Sequence, residues 1–180
     1  NVNGGTITNG EIDSYTYGVG AVLPMAKNMV KTGYTFAGWY DNDEFAGEAV
    51  TSIANNETGD KVFYARWTIN TYDVALNANG GTINAGEISL YEFGTAVTLP
   101  TDVTKTGYTF VGWYDNPNLA GEMFTAISNT EIGNKTFYAK WLVNNYTITL
   151  ETNGGTINSG NVGSYVFGNT VILPVDVTKT

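Results

Sequence analysis

The chain of 180 residues contains neither histidine nor cysteine. Thiol nucleophiles, disulfides, Ser-His-Asp and Cys-His constellations, and the usual zinc and copper ligands are therefore excluded by composition. Acid–base work would rest on Asp and Glu alone, and the repeated segments hold no matched carboxylate pair that would suit it. The oxygen-rich run Asp41-Asn42-Asp43-Glu44 has the residue types of a calcium ligand set. Its counterpart, Asp115-Asn116-Pro117-Asn118, loses two carboxylates, and neither has the ligand spacing of an EF-hand, so both read as solvated turns. Gly18-Val19-Gly20 starts like a dinucleotide loop but has Leu23 where the third glycine belongs, which makes it a strand bend. Lys61 and Lys135, each beside a closing strand, are candidates for intramolecular isopeptide bonds, although an exposed lysine is the ordinary reading. Tyr40, Tyr114, Tyr64 and Tyr138 are the residues with binding chemistry: outward rings stack on sugars or partner surfaces, or else support cross-strand packing. No residue is singled out for catalysis, for a cofactor or for a metal.

Charge narrows the partners. Eight basic residues stand against 17 acidic ones, a net charge of -9. Nucleic acid is excluded as a partner because its phosphates require clustered Lys and Arg, and anionic membranes are disfavoured for the same reason. No apolar run approaches the roughly 20 residues that span a bilayer, so membrane insertion is not expected. Asn1 opens directly into a polar, Gly-rich segment, and the chain reads as a mature fragment.

The elements that position these side chains recur with a period. Asn-Gly-Gly-Thr occurs at Asn3, Asn79 and Asn153, offsets of 76 and 74 residues. GYTFAGWYDN from Gly33 returns as GYTFVGWYDN from Gly107, and FYARW at Phe63–Trp67 returns as FYAKW at Phe137–Trp141. Between Lys31–Trp67 and Lys105–Trp141, 24 of 37 positions are identical without a gap. The two extra residues of the first copy fall between Pro24 and Lys31, where an exposed linker is expected. The repeats divide the chain into residues 1–69, lacking an opening strand, 70–143, complete, and 144–180, an N-terminal half. Permuted units of 33–106 and 107–180 are the alternative phase.

Within a unit, Tyr72, Val74 and Leu76 alternate with polar or small residues, as do Tyr146, Ile148 and Leu150, which predicts half-buried strands. Asn-Gly-Gly supplies the positive φ angles of a tight turn, so a hairpin is expected, with Tyr91 and Phe93 on one face of the returning strand. In the GYTF strand, Phe110 and Trp113 are predicted on opposite faces, which makes this strand central. Trp39, Trp67, Trp113, Trp141, Phe36, Phe110, Phe63 and Phe137 form the predicted core. Any helix is short, near Thr51–Asn55 and Thr125–Asn129 with Thr as its cap. The fold class is mainly β, α+β at most.

These blocks together, Asn-Gly-Gly-Thr, Leu-Pro, Lys-Thr-Gly-Tyr-Thr-Phe-x-Gly-Trp-Tyr and Phe-Tyr-Ala-x-Trp, closely resemble the Listeria-Bacteroides repeat, the family of the internalin B-repeat, over the whole chain. The resemblance implies tandem small β-grasp-like repeats of about 74 residues in secreted bacterial surface proteins, often between a functional head and a wall anchor. It implies an extracellular, non-catalytic segment acting as a stalk, spacer or adhesion element. Partners would be neighbouring repeats, other copies of the chain through strand complementation, or a host protein or glycan.

Overall fold

Period-two alternation broken every few residues by Asn-Gly and Gly yields many short strands. In the computed structural model, which describes residues 1–179, the one helical segment among the described residues is a three-residue 3-10 turn, Ala26–Asn28. It occupies the insertion after Leu23-Pro24, with Met25, Ala26 and Lys27 exposed. The short helices expected near Thr51–Asn55 and Thr125–Asn129 do not form. Ser52–Ile53 instead pairs antiparallel with Ala21–Val22, and Ala126–Ile127 with Val97–Thr98. Extended backbone lets Ile53 and Ile127 point inward, and both are buried.

The longer strands are β1 (Tyr34–Tyr40), β2 (Tyr64–Ile69), β3 (Thr71–Asn77), β4 (Leu90–Glu92), β5 (Tyr108–Tyr114), β6 (Lys135–Val143), β7 (Asn145–Thr147) and β8 (Ser164–Val166). Two compact units contain them. The first comprises Asn1–Tyr72, Leu90–Ala96 and Ser128–Gly133; the second comprises Asp73–Ser89, Val97–Ile127 and the chain from Asn134 onward.

In the first unit β1 and β2 pair antiparallel, and Thr6–Ile7 pairs with Met29–Val30. The register of β1 shifts between Phe36 and Gly38. That bulge puts Phe36 and Trp39, three residues apart, on the same face, with ring centroids 5.5 Å apart. The core is Leu23, Met29, Trp39 and Ala65, with Ile7, Val50, Phe63 and Trp67 packed against it. β4 lies beside the start of β3, where the Tyr72 and Tyr91 rings meet at 5.3 Å.

The second unit repeats the antiparallel pair as β5 and β6, with the same shift between Phe110 and Gly112. Phe110 and Trp113 therefore share a face, 5.6 Å apart, rather than pointing oppositely. β5 is an edge strand, not a central one: β6 lies between it and β3. β6 runs parallel to β3, with Lys135 opposite Val74 and Phe137 opposite Leu76. Leu99, Trp113, Ile127, Phe137 and Ala139 are buried here. The Asn-Gly-Gly turn after β3 does not lead straight into a hairpin. Thr82–Ile83 pairs first with Val103–Thr104. Further on, β7 pairs antiparallel with β8.

Candidate functional site

Two constellations recur with nearly the same geometry, and the signature residues build both. The first is a seat for the closing-strand tryptophan. Asn3 and Asn79 adopt φ of 47° and 48°, a left-handed conformation that Asn tolerates better than most residues. The turn they open places Gly5 and Gly81 so close to the indoles that an added Cβ would stand 2.1 Å from Trp67 Cζ2 and 2.3 Å from Trp141 Cζ2. The indole N–H groups donate to the carbonyls of Val2 (3.0 Å) and Ala78 (2.9 Å). The Asn side chains donate across to Ala65 O (2.8 Å) and Ala139 O (2.7 Å). Lys31 and Lys105 close the seat from above, donating at 2.8 Å to the Asn3 and Asn79 carbonyls and standing 4.4 Å and 4.6 Å from the Tyr34 and Tyr108 ring centroids.

The second constellation is a joint between successive sequence repeats. Gly33, at φ +76°, accepts a hydrogen bond from the Asn70 N–H (2.9 Å), and the Asn70 carbonyl accepts one from the Phe93 N–H (3.0 Å). The Thr35 hydroxyl donates to Asn70 Oδ1 at 2.7 Å. Phe93 then lies over the glycine, edge-on to Tyr34 at 5.8 Å, so close that a Cβ on Gly33 would stand 2.1 Å from its ring. All of these residues belong to the first unit. In the second unit Gly107, Asn144, Phe167, Thr109 and Tyr108 reproduce the arrangement: 2.9 Å, 2.9 Å and 2.6 Å for the hydrogen bonds, and 5.8 Å between the rings. Gly33, Tyr34 and Thr35 come from one repeat, and Asn70 and Phe93 from the next. The sequence holds the signal, since Gly33–Asn70–Phe93 and Gly107–Asn144–Phe167 have the same spacings of 37 and 23 residues. Reading each repeat by itself misses it.

The tyrosines expected to face a partner do not form a set. Tyr40 and Tyr114 are buried, which corrects their assignment as outward rings. Tyr40 packs edge-on against Phe45 and its hydroxyl accepts a hydrogen bond from Arg66 (3.3 Å), while Lys140 Nζ stands 4.7 Å from the Tyr114 ring centroid. The bulge causes this, because beyond it the strand's last two residues are both covered. Tyr64 and Tyr138 are half-buried, directly across the ladder from Tyr40 and Tyr114. Of the predicted core, Trp39 and Trp113 are buried, and their indoles donate to Pro24 O (2.9 Å) and Pro100 O (2.7 Å). Phe137 is also buried. Trp67, Trp141, Phe36, Phe110 and Phe63 are half-buried, with Phe36 wedged between Trp39 and Trp67 and Phe110 between Trp113 and Trp141.

The remaining candidate chemistry falls mostly in turns, and Lys61 in an ion pair. Asn42 closes its turn by exchanging hydrogen bonds with the Ala46 backbone, 3.0 Å and 2.9 Å, and Asn116 does the same with Ala120. Among the described residues no group of three His, Cys, Asp or Glu side chains converges as a metal site. Gly20 donates back to Thr16 O, the bend expected there. Lys61 pairs with Glu57, whose hydrogen bond holds the amine above its ordinary pKa of 10.5. A groove of about 580 Å³ in the first unit has an apolar wall of Val2, Ile7, Leu23, Trp39, Ile53 and Phe63 and a polar rim that includes Glu11, Asp13, Tyr15, Asp60 and Lys61. No helix among the described residues is long and apolar enough to cross a membrane.

Comparison with known proteins returns the same repeat. The model of the Listeria-Bacteroides repeat domain matches residues 1–66, 72–140 and 146–180. A protein of Evansella cellulosilytica named as a Gly-rich membrane protein is 34% identical over 87% of this chain, and a membrane protein of the same organism is 35% identical over 83%. Internalin H of Listeria monocytogenes is 30% identical over 76%. The chain covers only 18%, 22% and 24% of these relatives. No solved structure matches it. With the family model covering nearly every residue, the chain belongs to the Listeria-Bacteroides repeat family.

Proposed function

We propose that the chain is a non-catalytic, extracellular repeat segment of a bacterial surface protein and serves there as a stalk or spacer. The observation that carries this reading is the parallel pairing of β3 with β6, the first and last strands of the middle repeat. Tension applied along the chain loads that pair lengthwise, so several hydrogen bonds must break together instead of one after another. The β-grasp-like character expected of the family rests on the same adjacency. The joints at Gly33 and Gly107 add a connection of repeated geometry between repeats, which suits an array acting as a spacer. The absence of His and Cys from the sequence agrees with a role without catalysis, and the net charge of -9 suits a soluble, self-repelling segment.

Single-molecule pulling on the chain from both ends tests the reading. The middle repeat is expected to give way at a force well above that of an unzipping hairpin. Yielding at hairpin-like force would end the load-bearing reading.

A further inference from the structure

We propose that Asn9 is a site of spontaneous deamidation, while Asn3 and Asn79, which precede glycine in the same way, are protected by the tryptophan seat. The sequence has four Asn-Gly pairs, at Asn3, Asn9, Asn79 and Asn153. The reaction needs water and no enzyme. The Gly backbone nitrogen attacks the Asn side-chain carbonyl carbon, Cγ. A new N–C bond forms, the bond from Cγ to Nδ2 breaks, and the attacking nitrogen's proton leaves with it as ammonia. Water then opens the cyclic imide at either carbonyl, giving aspartate or isoaspartate. Glycine in the following position leaves the attacking nitrogen unhindered, and the Asn side chain must be free to swing onto it.

That freedom separates the sites. Asn79 is held at three points: its N–H donates to Asn77 Oδ1 (2.9 Å), its side-chain amide donates to Ala139 O (2.7 Å), and its carbonyl accepts from Lys105 (2.8 Å). Asn3 is held in the same way by Asn1 (3.0 Å), Ala65 (2.8 Å) and Lys31 (2.8 Å). The leaving nitrogen is thus a hydrogen-bond donor to a strand backbone, Ala65 of β2 or Ala139 of β6, and that bond must open before the side chain can swing onto the glycine nitrogen. Asn9 and Gly10 are both exposed, lie in a bend just past Thr6–Ile7, and among the described residues no hydrogen bond holds the Asn9 side chain. The other repeats carry Ala85-Gly86 and Ser159-Gly160 at this place, so an Asn-Gly pair in this bend is a property of the first repeat alone. Asn153-Gly154 is exposed and, among the described residues, no hydrogen bond holds the Asn153 side chain, so it is expected to convert with Asn9.

The test is incubation of the whole chain at mildly alkaline pH, with site-resolved peptide mapping for the mass gain of about 1 Da that replaces an amide by a carboxyl. A hydrogen bond that must open slows the reaction by about 2- to 10-fold, so with two or three such bonds Asn9 is expected to convert on the order of tenfold or more faster than Asn3 or Asn79. In denaturant the gap is expected to close, because the protection is structural. Asn9→Ser, which borrows the residue of the third repeat, should abolish the fast conversion at that position and leave the melting temperature unchanged. Equal rates at Asn9 and Asn79 in the folded chain would overturn the proposal, as would a gap that survives in denaturant.

Discussion

Gly33 lies directly beneath the ring of Phe93, 60 residues further along the chain, with no room between them for a methyl group. The contact recurs between Gly107 and Phe167. Position and dihedral both demand glycine: a side chain would strike the ring, and φ near +76° is strained for any L-residue.

Gly33→Ala is therefore expected to destabilise the first unit by about 2–3 kcal/mol, combining left-handed strain with overpacking. Chemical denaturation followed by calorimetry checks this. The variant should also broaden or split the unfolding transition, since the joint couples neighbouring repeats. Phe93→Ala should split it too, without the strain. A single sharp transition in both variants would argue that the joint carries no coupling.

Trp113 is 1% exposed and touches Phe110, while its indole N–H is bonded to Pro100. Its replacement by Ala is expected to cost about 3–5 kcal/mol, by loss of buried area and the cavity left behind. Trp141→Ala, at a half-buried position, should cost less. Near-wild-type melting of W113A would refute its place as the anchor of the second unit.

Gly81→Ala should expel Trp141 from its seat, because the new methyl would meet both the indole and Thr104 O at 2.9 Å. A loss of about 1–3 kcal/mol and a red shift of tryptophan emission are expected. Unchanged emission would mean that the indole does not rest on this glycine.

The Lys61–Glu57 pair gives a pH dependence with a definite sign. The folded amine has a raised pKa, so its stabilising effect is complete below the unfolded value of 10.5 and is lost as pH climbs through the higher folded value. Solvent screening keeps it small. Lys61→Met should leave melting at neutral pH almost unaltered. A pronounced drop would point to a covalent or buried role for this amine.

Tyr40→Ala and Tyr114→Ala are expected to behave as core truncations, destabilising the fold before they affect any partner. Tyr64→Ala and Tyr138→Ala, half-buried, are the better variants for a glycan-array comparison. Binding lost in these two with stability retained would move the reading from spacer to adhesion.

Much of the fold could be read from the residues. Alternation around Tyr72–Leu76 marked a strand, and the left-handed Asn-Gly turns appear where the sequence puts them. Other features depend on what strands meet. Phe110 and Trp113 are an odd number of residues apart, and strict period two sends them to opposite faces; the bulge that reunites them is invisible until Trp141 and Ala139 are seen across the ladder. Thr51 and Thr125 have the look of helix caps, but the neighbouring isoleucines find a core only through extended backbone. The joint escaped because half of each joint lies in the adjoining repeat, and a period read one unit at a time contains no trace of a contact between periods.

The constant spacing from Gly33 to Asn70 to Phe93 also limits how such a gene can grow or shrink. Recombination that adds or removes a whole period delivers every phenylalanine to a waiting glycine. A break elsewhere in the period leaves one socket without its plug, so length variation in these arrays should proceed in integral steps.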